Sequence, residues 1–357
     1  MAPDHDPAVF RADVGDYIGP VTDAGIASIR DVILCPTGAG GGNADDYRAH
    51  PPVASPMFRR LEESDPRPAH LGRNLRIDRL SDDEADIVLR ACTPRGHNFA
   101  PVKQFGQRYT FILDVDPQQW EIRPHGWDPD GVLHDALAMS RLVRDHGFSL
   151  EYAARIITWQ DGKQVVTWTR GPLTNAFTVR HERDWLTYDE AEQLAQLLDS
   201  YWAVKDHLPP RVTRAMWRAE YATSIQWGDV SLPTIVSGLE ALLKTERGYA
   251  TKQFKERATA LASEVGVDGV TEEWAESIYD ARSDWVHGAS VKLFALDPSR
   301  AGGPSNLTES QAFRDLATVQ DLLRAAIRKA VQDEGFRERF VSDASVRSHW
   351  PVERPGR

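Results

Sequence analysis

With 357 residues the chain is long enough for two domains and a large core, and 53 acidic against 42 basic residues give it a formal net charge of -11, which argues against broad, charge-driven binding of nucleic acid. Its two cysteines, Cys35 and Cys92, exclude a disulfide framework and a four-cysteine zinc site and suit a reduced, cytoplasmic protein. No apolar run reaches the roughly 18 residues needed to span a bilayer, and residues 1–10 lack a basic-then-apolar leader pattern, so neither membrane insertion nor secretion is expected.

Residues 1–185 read as a mostly antiparallel, β-rich domain. Apolar, β-branched runs occur at Ala27–Leu34, Leu75–Leu80, Ala85–Arg90, Arg108–Val115, Ala153–Trp159, Gln164–Thr169 and Ala176–Arg180. Asp161-Gly162 between two of them is a hairpin turn signal. Gly131–Gly147 interrupts the strands as a helix, with Leu133, Leu137, Met139, Leu142 and Val143 apolar. Pro36–Asn43 is glycine-rich but lacks the Lys-Ser/Thr ending that lets a P-loop hold phosphate, so a loop is expected. Asp114 and Asp116 alternate at a strand end, where a turn before Pro117 accounts for them as well as a cation would. His125 and His134 have no third ligand at recognisable spacing, so no metal and no cofactor is expected. Trp127, Trp159 and Trp168 suit a β core.

Residues 186–335 read as an all-α bundle, with 336–357 as a tail. Thr187-Tyr188-Asp189-Glu190 is a capping box, in which Thr187 and Glu190 satisfy each other's backbone N–H groups and open a first helix. Leu208-Pro209-Pro210 breaks it. A second helix follows to about Gln226, a third begins near Asp229, a fourth spans about Thr251–Ala262, a fifth runs from Thr271 to His287 and a sixth from about Thr308 to Val331. On the second helix Arg211, Arg214 and Arg218 share a face at i, i+3 and i+7, a spacing that can track an RNA backbone.

The fifth helix carries Ile278-Tyr279-Asp280-Ala281-Arg282-Ser283-Asp284-Trp285-Val286-His287-Gly288. Metal-free RNA scission needs a group that moves a proton and one that stabilises charge on phosphorus. Histidine titrates near neutral pH and arginine offers a permanently charged planar fork. On an ideal helix residues five apart point about 140° away from each other, so Arg282 and His287 converge best at a helix end or across a dimer axis. Spacing alone is weak. Arg141 and His146 repeat it, and Arg90 with His97 shows a looser version.

Context separates the Arg282 pair from these copies. Ser237–Leu242, Phe254-Lys255-Glu256-Arg257, Ile278–Ser283, Val286-His287-Gly288 and Leu322–Ile327 occur in an order and at distances that resemble the HEPN domains, specifically their Apea-like group. That resemblance implies a homodimeric helical bundle with Arg282 and His287 catalytic and Glu240, Arg257, Tyr279, Ser283 and Asp284 in support. It also implies a metal-independent endoribonuclease of bacterial abortive infection, leaving 2′,3′-cyclic phosphate on its RNA substrate, with a phage-derived trigger or partner engaging the N-terminal domain. Ala289 stands where related toxins carry a modifiable tyrosine, so control by nucleotidyl transfer is not expected. Family members that bind RNA or a nucleotide without cutting it, or that only dimerise, leave those alternatives open.

Overall fold

The computed structural model describes residues 25–34, 68–81, 84, 109–118, 127–128, 130–144, 146, 153–168, 186–223, 228–246, 249–286 and 311–353. In chain order these hold strands β1 (Ile26–Leu34), β2 (Ala69–Gly72), β3 (Leu75–Arg79) and β4 (Tyr109–Val115), then helix α1 (Val132–Val143), then β5 (Ala153–Trp159) and β6 (Gln164–Trp168). Beyond Tyr188 the regular elements are helical: α2 (Tyr188–Val204), a short 3-10 turn (Lys205–His207), α3 (Pro210–Thr223), α4 (Gly228–Leu243), α5 (Ala250–Val265), α6 (Glu272–Val286), α7 (Gln311–Gln332), α8 (Glu334–Glu338) and α9 (Asp343–His349). The architecture is mixed α+β. The chain divides into two compact units, one containing the sheet and the other containing the helices from Gln196 onward.

The six strands form one sheet in the order β2-β3-β4-β1-β5-β6, and every neighbouring pair is antiparallel. β1 is central and apolar, with Ile29, Val32 and Ile33 at most 1% exposed. Gly162, at φ +82°, turns β5 into β6, as Asp161-Gly162 predicts. β2 was not expected. It pairs with β3 through Arg73-Asn74, both in the left-handed region at φ +47° and +61°, a two-residue turn preceded by Gly72 at φ +88°. The runs Ala85–Arg90 and Ala176–Arg180 lie outside the described residues, as does Pro36–Asn43.

A buried ion pair ties this sheet to α1. Asp31 of β1 faces Arg155 of β5 in register, and its carboxylate takes Nε and Nη2 of that guanidinium at 2.6 and 2.7 Å. Asp31 Oδ2 also accepts the backbone N–H of Asp128 at 2.7 Å. Asp128 in turn caps α1, accepting from the N–H groups of Leu133 and His134 at 3.0 and 2.9 Å. A charge introduced into the sheet interior is thus partnered on every side, which its burial demands.

Among the helices the capping box forms as its residues dictate. Thr187 N–H donates to Glu190 Oε2 at 2.8 Å, and Glu190 N–H donates to Thr187 Oγ1 at 3.3 Å. At Gly238 a Cβ would meet Leu323 Cδ2 at 2.8 Å and Arg218 Cβ at 3.3 Å, so this glycine lets α3, α4 and α7 approach closely. The described part of 336–357, residues 336–353, is not a simple tail. α8, α9 and the residues that follow each bury Phe336, Phe340, Val346 and Trp350, and the N-caps Asp333 and Ser342 accept from Phe336 and Ser345. No described helix is long and apolar enough to cross a membrane.

Arg155→Leu strands the Asp31 carboxylate and is expected to cost about 3–5 kcal/mol in urea unfolding. Adding Asp31→Asn restores part of the loss, because a neutral amide oxygen still accepts the Asp128 N–H. An unchanged Arg155→Leu midpoint would show that the pair does not hold the sheet.

Candidate functional site

α4 and α6 meet at one carboxylate. Glu240, 8% exposed, lies in the last turn of α4, and its Oε2 stands 2.9 Å from Arg282 Nη2. Its Oε1 accepts from the Tyr279 hydroxyl at 3.1 Å and from Lys244 Nζ at 3.4 Å. Spacing within each segment prepares the two pairs that meet there. Tyr279 and Arg282 are three apart on α6, and Glu240 lies four residues before Lys244, the residue that follows α4, so each pair lies on one side of its segment.

Aromatic packing completes the cluster. The Arg282 guanidinium carbon lies 5.9 Å from the Tyr279 ring centroid, and Phe254 of α5 tilts against that ring at 5.1 Å. Burial, with the Glu240 charge and hydrogen bond behind it, pushes the Tyr279 hydroxyl up to about 12, so it remains a proton donor to Glu240 at neutral pH. Arg282 Nε is buried without a hydrogen-bond partner among the described residues, while its side chain keeps 23% exposure. Two cations, Arg282 and Lys244, thus meet one carboxylate, and the arginine fork is engaged through Nη2.

The end of α4 is neutralised by two further arginines. Arg211 Nη1 donates to the carbonyls of Ala241, Leu242 and Lys244 at 2.9, 3.2 and 2.9 Å, and its Nη2 pairs with Asp343. Arg257, 2% exposed, donates from Nη1 to the Leu243 carbonyl at 2.6 Å, Thr245 Oγ1 at 3.1 Å and Gln253 Oε1 at 3.0 Å. Its Nε reaches the Trp350 carbonyl at 3.0 Å, and burial lowers its pKa from the ordinary arginine value. Orphan carbonyls at a helix C-terminus attract such cations. Arg257 therefore supports the site through the end of the helix that carries Glu240.

The remaining candidates separate. Ser283 is half-buried and Asp284 exposed. Arg214 and Arg218 are exposed on α3, Arg214 donating to the Pro210 carbonyl of its own helix at 3.1 Å. His287 lies outside the described residues, as do Arg90 and His97. The spacing copy Arg141 pairs with Glu220, and His146 is buried. Asp114 pairs with Arg76, and Asp116 accepts from Gln118 N–H at 3.0 Å, the turn that its position before Pro117 suggests. His134 Nδ1 is 2.7 Å from Asp128. Lys244 was missed in the sequence, although its i+4 spacing from Glu240 is a legible signal.

Among the described residues no group of three His, Cys, Asp or Glu side chains comes together as a metal site. No family model, curated protein or solved structure matches the chain.

The Tyr279 hydroxyl carries a testable consequence. An unfolded tyrosine deprotonates near pH 10, whereas the folded one holds its proton to about 12. Its contribution to stability is complete below pH 10 and is lost as pH rises through about 12. Tyr279→Phe should remove a late-ionising tyrosine from an ultraviolet titration and flatten the stability loss over that window. An unchanged titration would place the hydroxyl in water.

Proposed function

We propose that the helical part of this chain is a HEPN-type endoribonuclease of the Apea-like group, acting in a cytoplasmic homodimer and serving bacterial abortive infection. The observation that carries the reading is the orientation of Arg282 by Glu240 and Tyr279 near the C-terminal end of α6, the helix that leads to His287. A planar fork held in advance stabilises developing phosphate charge without reorganising during the reaction.

In this mechanism the ribose 2′-oxygen attacks the adjacent phosphorus as His287 takes its proton. Arg282 stabilises the equatorial oxygens of the phosphorane. The bond to the 5′-oxygen then breaks, and the departing oxygen regains a proton from the imidazolium of the composite site. The products are a 2′,3′-cyclic phosphate and a 5′-hydroxyl. Glu240 and Tyr279 position Arg282, Ser283 and Asp284 flank it, and Arg257 secures the helix beneath. The strand-rich unit serves as the sensor for a phage-derived trigger.

The same ion pair favours a second reading. A guanidinium already bonded to a buried carboxylate is also what a structural tie between two helices looks like, and a non-catalytic module that binds RNA or a nucleotide, or a dimerisation scaffold, would keep it.

Cleavage of total RNA by the purified chain in EDTA, with infected-cell extract added where the chain alone is silent, separates the two. Arg282→Ala is expected to lower the rate about 10²- to 10³-fold and His287→Ala about 10²- to 10⁴-fold, with cyclic-phosphate ends on the wild-type products. Equal rates in all three, or activity abolished by chelation, would contradict the ribonuclease reading.

A further inference from the structure

Arg214, Trp217, Arg218 and Tyr221 fall at i, i+3, i+4 and i+7 on α3, and all four are exposed. Trp217 is 59% and Tyr221 48% exposed, uncommon for rings of this size. Their rings stack nearly parallel, with centroids 5.5 Å apart and planes 4° apart. The Arg218 guanidinium carbon lies 5.2 Å from the centre of the Trp217 ring. The one acid of the helix, Glu220, is half-buried and pairs with Arg141. The stripe therefore presents two cations and two ordered π surfaces without an acid of its own helix among them.

We infer that this stripe is a stacking platform for single-stranded RNA. Planar bases extend a stack that is already ordered, and the phosphates that link them pair with Arg214 and Arg218. Such a surface favours strands whose bases are unpaired, since a duplex hides its base faces. A local patch of this kind also reconciles RNA binding with a chain of net charge -11. The choice of RNA rests on the ribonuclease reading, whereas the stacking and charge argument stands without it. Arg211, which shares the helical spacing, is taken up by the end of α4 and Asp343 and is left out of the platform.

The test is a fluorescence-anisotropy titration of short labelled single-stranded RNA against the full chain in the His287→Ala background, which prevents consumption of the probe. Trp217→Ala should weaken binding about tenfold or more, and Trp217→Phe should retain most of it. Arg214→Ala with Arg218→Ala should flatten the slope of log K against log salt by about 1.4. A duplex of the same sequence should bind without dependence on Trp217. Failure of single strands to bind, binding indifferent to Trp217→Ala, or a Trp217→Ala chain that turns from dimer to monomer in light scattering would each overturn the platform, the last by assigning the stripe to a second copy. Cleavage by the wild type, followed separately, keeps the two ideas apart. Intact cleavage with Trp217-independent binding sinks the platform alone. Trp217-dependent binding in a chain that never cleaves, even in infected-cell extract, sinks the ribonuclease reading alone.

Discussion

A carboxylate withdrawn from water between helices loses several kcal/mol of solvation unless cations and donors replace it. Glu240 meets that demand with Arg282, Tyr279 and Lys244, and the replacement sets much of the geometry around it. It draws α4 against α6, gives Arg282 one orientation and holds the Tyr279 hydroxyl protonated. The carboxylate keeps its place because the end of α4 is itself secured. Arg211 and Arg257 donate to four successive carbonyls there, Ala241 through Lys244, and Arg257 ties that end to the carbonyl of Trp350. Three arginines thus serve one helix, two at its terminus and one at its acid.

The strand-rich unit uses the same physics with the signs arranged differently. Asp31 and Arg155 neutralise each other across adjacent strands, and the spare capacity of the carboxylate holds Asp128, whose own side chain caps α1. In both units a buried charge is satisfied by partners distant in sequence. Such pairs contribute specificity of arrangement more surely than net stability, since removing one partner is far costlier than replacing both.

That distance separates what the sequence made legible from what it did not. Local signals were sufficient for Thr187 with Glu190, for the turn at Asp161-Gly162 and for the apolar run of β5, because each is settled by residues a few positions apart. The β2–β3 hairpin is hard to read from sequence because β2 spans only four residues and its turn places Arg73 and Asn74, not a glycine pair, in left-handed backbone after Gly72. α8 and α9 were read as tail because five and seven residues are too short for a period, and their aromatic anchors gain meaning only from packing. Arg211 looked like an RNA contact on spacing. Its true partners lie 30 to 132 residues away, and no helical period reports that. Glu240, Tyr279 and Arg282 stand out in the sequence only through a resemblance, and their convergence on one carboxylate belongs to the fold.

Whether that convergence serves catalysis turns on what the Glu240 carboxylate does to Arg282. A positioning carboxylate makes the guanidinium effective at the transition state, and a merely structural one has no bearing on rate. The decisive measurement is kcat and KM for RNA cleavage by Glu240→Gln, an isosteric change that keeps an oxygen for Tyr279 and removes the charge that orients Arg282. The account predicts a fall in kcat of about a hundredfold with KM little changed and the fold intact. A folded Glu240→Gln protein that cleaves as fast as the wild type, or faster, would contradict it.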